Sequence, residues 1–134
     1  MAKSAPIHCS VITPEEQILN TTATSVVIPA HDGQIGILSH RAPLLCALGT
    51  GVLKVDTLDA GLREFYVDGG FAQVLNNEVI VLTERAAAAE NVSRADAEKA
   101  LAEAEDLPGG NAEAQQARQR AVQRAKTQIR IAKQ

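Results

Sequence analysis

Asp32-Gly33-Gln34-Ile35-Gly36-Ile37-Leu38-Ser39-His40-Arg41-Ala42-Pro43-Leu44-Leu45 holds two short apolar runs separated by a polar Ser-His-Arg turn. Gly33 and Gly36 suit a backbone that turns tightly or takes positive φ. Pro43 has no amide donor, so the second run begins at a sheet edge or a bulge. The stretch predicts a β-hairpin that lifts Gln34, His40 and Arg41 to one rim of a β-domain, as a docking surface. The same residues also suit an ordinary hairpin with solvated polar tips.

Outward from this hairpin the chain reads as β from residue 7 to residue 83. Ile7, Cys9 and Val11 alternate with His8, Ser10 and Ile12, a largely one-sided strand. Thr13-Pro14-Glu15-Glu16 is a turn signal, and Gln17 to Asn20 return as a short strand. Thr24 to Pro29 group Val26, Val27 and Ile28, which suits a separate strand covered on both faces. Val52–Asp56, Arg63–Val67, Phe71–Leu75 and Val79–Thr83 follow, divided by Asp59-Ala60-Gly61, Asp68-Gly69-Gly70 and Asn76-Asn77. Short strands at regular spacing predict an antiparallel β-sandwich or barrel over residues 1–85.

At Glu84 the composition changes, and Ala86 to Ala89 end the β pattern. Ser93 with Asp96 resembles a helix-starting capping box. Ala97, Ala100, Leu101 and Ala104 then fall on one helical face. Leu107-Pro108-Gly109-Gly110-Asn111 stops that helix. A second helix follows, roughly 30 Å long at 1.5 Å per residue, with Val122, Ala125, Ile129 and Ala132 in a stripe. Residues 86–134 therefore predict an antiparallel α-helical hairpin, with helices over residues 93–106 and 112–132. Its seam is mostly alanine, and a buried methyl contributes only about 0.8 kcal/mol. Two arrangements follow from so thin a seam: an appendage free to swing, or a hairpin docked permanently on the sandwich.

Composition narrows the chemistry. Over 134 residues the chain is 46% apolar but only 2% aromatic, so its core rests on Val, Ile, Leu and Ala. Few stacking rings and a net charge of −3 disfavour a nucleic-acid surface. Cys9 and Cys46 lack a CxxC spacing and read as reduced thiols. No apolar run reaches membrane-spanning length, and Met1 to Pro6 lead at once into strand-like sequence, with no room for a secretory leader. His8, His31 and His40 put no two ligands on one face, so no metal site is expected. With no GxSxG, P-loop or GxGxxG, and no Ser or Cys paired with a His, no catalytic residue is expected either.

Charge divides the two helices. The first carries Asp96, Glu98, Glu103, Glu105 and Asp106 against Arg94 and Lys99. The second carries Arg118, Arg120, Arg124, Lys126, Arg130 and Lys133 against Glu113. Such runs are commonly solvated helix faces. The excess of cations on the second helix also suits an acidic protein surface, with a nucleic-acid-binding module acting through this basic helix as the alternative.

Taken in order, Val11-Ile12-Thr13-Pro14-Glu15-Glu16, Gly33-Gln34-Ile35-Gly36-Ile37-Leu38, Ala42-Pro43-Leu44-Leu45, Gly69-Gly70-Phe71 and Val79-Ile80-Val81-Leu82 resemble the ε-subunit family of F-type ATP synthases. The resemblance runs the length of the chain. It implies a central-stalk rotor subunit, not an enzyme, that links the γ subunit to the c-ring for proton-driven ATP synthesis. It also implies a peripheral place on the cytoplasmic face of a bacterial inner membrane, reached only through partners, with no nucleic acid bound. By position, Asp32, Gln34, His40 and Arg41 match the rim that meets the c-ring and γ. The family's usual Pro-Gly-His before Ala-Pro is here Ser39-His40-Arg41. The hairpin of relatives can extend and inhibit ATP hydrolysis, and Arg118, Arg120, Arg124, Lys126 and Arg130 fit the basic contact to an acidic segment of the β subunit. Some relatives bind ATP through Ile/Leu-Asp-x-x-Arg-Ala. Val92-Ser93-Arg94-Ala95-Asp96-Ala97 lacks the Asp and the Arg, so no cofactor is expected.

Overall fold

A computed structural model describes residues 6–132. The leader reading of Met1 to Ala5 and the cation Lys133 lie outside the described residues. Among the described residues nine strands precede two helices: β1 Ile7–Ile12, β2 Gln17–Ala30, β3 Gly33–Ile37, β4 Leu44–Ala47, β5 Thr50–Thr57, β6 Gly61–Asp68, β7 Phe71–Leu75, β8 Glu78–Leu82, β9 Arg85–Ala88, α1 Arg94–Glu105 and α2 Ala112–Ile131. A single 3₁₀ turn, Ala89–Asn91, leads from β9 toward α1.

The strands form one hydrogen-bonded sheet in the order β4-β7-β8-β1-β2-β5-β6-β9, folded over a single core, with β3 added beside β2. Neighbours pair antiparallel except β1 and β8, which run parallel and tie the first strand to the far end of the β region. Ile7, Val11, Val26, Ile28, Leu53, Val55, Phe65, Val67, Val74, Val79 and Val81 fill the core. These are branched aliphatics with one aromatic ring, as a chain so poor in aromatics requires.

Three local readings of the sequence are corrected. The two strands expected at residues 17–20 and 24–29 are one 14-residue strand, β2. Its pairing with β5 shifts register between Ala23 and Ser25, and β1 and β3 occupy successive halves of its other edge. Thr22 and Ala23 are strand-compatible, so nothing breaks the ladder between the halves. Val27 is only half-buried, so β2 is not covered on both faces throughout. Second, the hairpin through Asp32 turns at His31-Asp32 and pairs β3 back onto β2. The run after Pro43 becomes β4 and pairs with β7 instead. Pro43 does precede an edge strand, because β4 ends the sheet order. Third, the alanines at 86–88 extend the β region: they pair with Val67, Tyr66 and Phe65 of β6.

The helices form the expected hairpin. The Asp96 amide donates to Ser93 Oγ at 3.2 Å, and the Ala114 amide to Asn111 Oδ1 at 2.8 Å, so each helix starts on a side-chain cap. Ala97 and Ala104 of α1 are buried, and Ala125 is buried on α2. The face of α2 is wider than the stripe read from sequence, because Thr127 and Ile131 are buried as well. That second stripe meets the sheet. Ile131 packs with Val52 of β5, Tyr66 of β6 and Ala89, and Val92 closes the cluster. The hairpin is thus docked, through α2, on the outer face of β5 and β6. Val52-Leu53 and Phe65-Tyr66-Val67 are buried in unbroken runs, as strands covered on both sides must be.

Candidate functional site

Asp32, Gln34, His40 and Arg41 are all exposed. Asp32 and Arg41 both act on the Cys46 thiol of β4, so the crossover from β3 to β4 brings them round the same strand. Burial and then Asp32 raise the Cys46 pKa, while Arg41 opposes them. His40, next to Arg41, reaches the β7–β8 turn. Its amide donates to Asn77 Oδ1 at 2.6 Å, and His40, Arg41, Ala42, Pro43, Asn76 and Asn77 line one polar depression. Gln34 lies on β3 opposite Pro29, with no hydrogen bond to the other three among the described residues. The four residues therefore spread along the edge made by β3, β4 and the β7–β8 turn, and are not gathered at one hairpin tip.

The sequence reading missed a second surface. Leu45 is 70% exposed, Phe71 57%, Leu82 52% and Leu75 43%. They alternate with buried Ala72, Val74, Val79 and Val81, which puts them on the outer face of β4, β7 and β8. Phe71 pairs with Leu82, and Leu82 with Ile12 of β1, making an apolar band across adjacent strands. A soluble domain seldom leaves such a band without a partner. The signal was present in Phe71-Ala72-Gln73-Val74-Leu75 and Val79-Ile80-Val81-Leu82, which carry apolar residues on both faces.

The basic residues of α2 divide into engaged and open. Arg124 Nε lies 2.6 Å from Asp68 Oδ2 of β6. Arg118 donates through Nε and Nη2 to the Glu105 carbonyl, at 3.3 and 3.1 Å, and so caps the C-terminal end of α1. Arg120, Lys126 and Arg130 are exposed and form no ion pair among the described residues. Between α2 and the sheet, Tyr66, Arg85, Asn91, Ser93, Asp96 and Gln128 line a cavity of about 300 Å³. The Tyr66 hydroxyl is buried beside Gln128, with no partner within hydrogen-bond criteria among the described residues. Burial, reinforced by Asp68, pushes its pKa up to about 12.

These residues do not fit a nucleotide at the Val92–Ala97 segment. Ser93 is spent as the α1 cap, Arg94 is paired with Glu98 at 3.1 Å, and Asp96 adds a carboxylate to the cavity wall. A polyphosphate would meet the carboxylates of Asp96 and Glu98, with Arg94 already paired and Arg85 the remaining cation of the cavity wall. Among the described residues no group of three or more His, Cys, Asp or Glu could hold a metal ion.

A model of the ATP synthase δ/ε chain β-sandwich domain matches residues 6–89. The chain belongs to this family. An ATP synthase epsilon chain from Rhodopirellula baltica is 42% identical over 127 residues, covering 95% of this chain and 98% of the relative. One from Synechococcus is 40% identical, covering 91% and 90%. A chain of the Euglena gracilis mitochondrial ATP synthase superposes with a TM-score of 0.82 at 21% identity, covering 94% of this chain and 81% of that one. A chain from the central stalk and c-ring of the Tetrahymena thermophila enzyme gives 0.63 at 16% identity, covering 96% and 99%. At those identities the structural likeness carries the fold alone. The ε-chain family accounts for the β-sandwich followed by two helices, and nothing in it favours the nucleic-acid alternative. Two of the five named arginines and lysines of α2 are also committed internally, which breaks up the basic stripe that alternative needs.

Proposed function

We propose that the chain acts as a non-catalytic stalk subunit, with its sandwich gripping the γ subunit and resting on the c-ring during proton-driven ATP synthesis. The apolar band of Leu45, Phe71, Leu75 and Leu82 carries this reading, because it supplies a flat adhesive face on a family member with no catalytic constellation. The band meets γ. The polar edge of Asp32, Gln34, His40 and Arg41 meets the polar loops of the c-ring, with Arg41 adding a fixed charge. The α and β subunits complete the set of partners. Among the described residues no helix is long and apolar enough to cross a membrane, and the place of action is the cytoplasmic face of a bacterial inner membrane, reached through these partners.

The hairpin serves as a brake on ATP hydrolysis. Extended, it would turn Arg118, Arg120, Arg124, Lys126 and Arg130 toward an acidic segment of the β subunit. Reconstitution tests both parts. The full chain should co-purify with γ and the c-ring, and deleting residues 91–134 should raise the ATPase rate of the assembled enzyme. A chain that joins neither partner would refute the docking role, and an unchanged rate would refute the brake.

A further inference from the structure

We propose that the docked hairpin is held by a built-in charge latch, Asp68 to Arg124, that closes without a nucleotide. The hairpin reaches the sheet through α2, whose first turns are exposed. What anchors it is the small cluster around Ile131, together with this ion pair. Asp68 closes β6 directly opposite Thr50 of β5, and Thr50 Oγ1 donates to Asp68 Oδ1 at 2.8 Å. One carboxylate oxygen is thereby fixed by the sheet, and the other points at Arg124 Nε, 2.6 Å away.

Two features set this pair apart from an ordinary surface bridge. The Asp68 side chain is 12% exposed and the Arg124 side chain 35%, so the pair is partly withdrawn from water yet still open to salt through Arg124. The acid is also pre-set by Thr50, so closing the latch orders only the arginine. While α2 stays docked, removing the Arg124 guanidinium leaves the shielded Asp68 carboxylate with a hydroxyl as its side-chain partner, which weakens the docked state. Arg124 also belongs to the basic set assigned to the brake. While it holds Asp68 it cannot face the β subunit, so latching and inhibition exclude each other. That last consequence rests on the function proposed above; the latch itself does not.

Amide hydrogen exchange of the full chain tests it, comparing unmodified protein with Asp68→Asn, Arg124→Gln and the double variant, without nucleotide. Each single change should speed exchange of residues 121–131 about tenfold, and the double change should add nothing further. Amides of β1 and β8 should keep their protection in all forms. Thr50→Val should speed the same helix by a smaller factor. In the unmodified chain, raising NaCl should speed it too, and this arm does not depend on any variant folding. Single changes without effect, singles whose effects multiply in the double, or no response to salt would overturn the latch. So would protection of α2 that develops only when Mg-ATP is added. Failure to join γ and the c-ring would strike the function proposed above and leave these exchange results standing.

Discussion

His40 and Asn77 meet backbone to side chain at 2.6 Å, and both hold positive φ, at 65° and 61°. An L-residue in that region carries a cost of about 1–2 kcal/mol that glycine escapes. Glycine loses about 0.5–1 kcal/mol through its greater freedom in the unfolded chain. His40→Gly is therefore expected to leave stability unchanged or to raise it by up to about 1 kcal/mol. His40→Val should lower it by about 1–2 kcal/mol. Urea unfolding of the two variants checks the pair.

Gly70 admits no side chain. Its φ is +103°, and a Cβ placed on it would lie 1.9 Å from the Leu82 carbonyl oxygen. That oxygen is backbone and cannot move without breaking the β7–β8 ladder. Gly70→Ala should cost about 3 kcal/mol or more, read as a drop in the unfolding midpoint of the whole sandwich.

Ile131 is 5% exposed and sits in a cluster of Val52, Tyr66, Ala89 and Val92. Ile131→Ala should cost about 2 kcal/mol, the low end for such a truncation, because the cluster is small. The loss should appear locally. Trypsin should cut after Arg120, Arg124, Lys126 or Arg130 much faster, while the sandwich fragment survives intact.

Alkali should loosen the same contact. Burial raises the Cys9 pKa from 9.0 to about 12, and burial with Asp68 raises that of Tyr66 from 10.0 to about 12. In the unfolded chain both groups lose protons at the lower values. Their contribution to stability is full below pH 9 and is lost progressively as pH climbs toward 12. Tyr66→Phe should flatten the decline that begins near pH 10, measured as the unfolding free energy against pH. Under native conditions near neutral pH, a maleimide should label half-buried Cys46 and spare Cys9.

Much of the architecture was legible in the sequence because periodicity reports burial directly. Ile7-Cys9-Val11 alternates cleanly and is a one-sided strand, and Ser93 and Asn111 cap the helices that follow them. Pairing was less legible. Nothing local in Gly33–Ile37 says whether it returns onto β2 or goes forward to β4, since either choice buries Ile37. Nor does the sequence separate Ala86–Ala88 as strand from the alanines of a helix, because alanine brings no branching to mark the β pattern. At the candidate site, Asp32, Gln34, His40 and Arg41 are polar and exposed, whereas Phe71 and Leu82 read from sequence as strand formers and only the sheet pairing shows that they share an outer face. The Asp68–Arg124 contact joins residues 56 positions apart, and only the docking of α2 on β6 brings them together.

If this chain works by adhesion to larger bodies, a single binding measurement will register it. The full chain and a Phe71→Asp, Leu82→Lys double variant would each be titrated onto the purified γ subunit and c-ring assembly, with hydrogen exchange confirming that the variant sandwich is folded. The unmodified chain should bind stoichiometrically, and the variant at least a hundredfold more weakly, about 2.8 kcal/mol. Equal binding by both, or binding by neither, would contradict it.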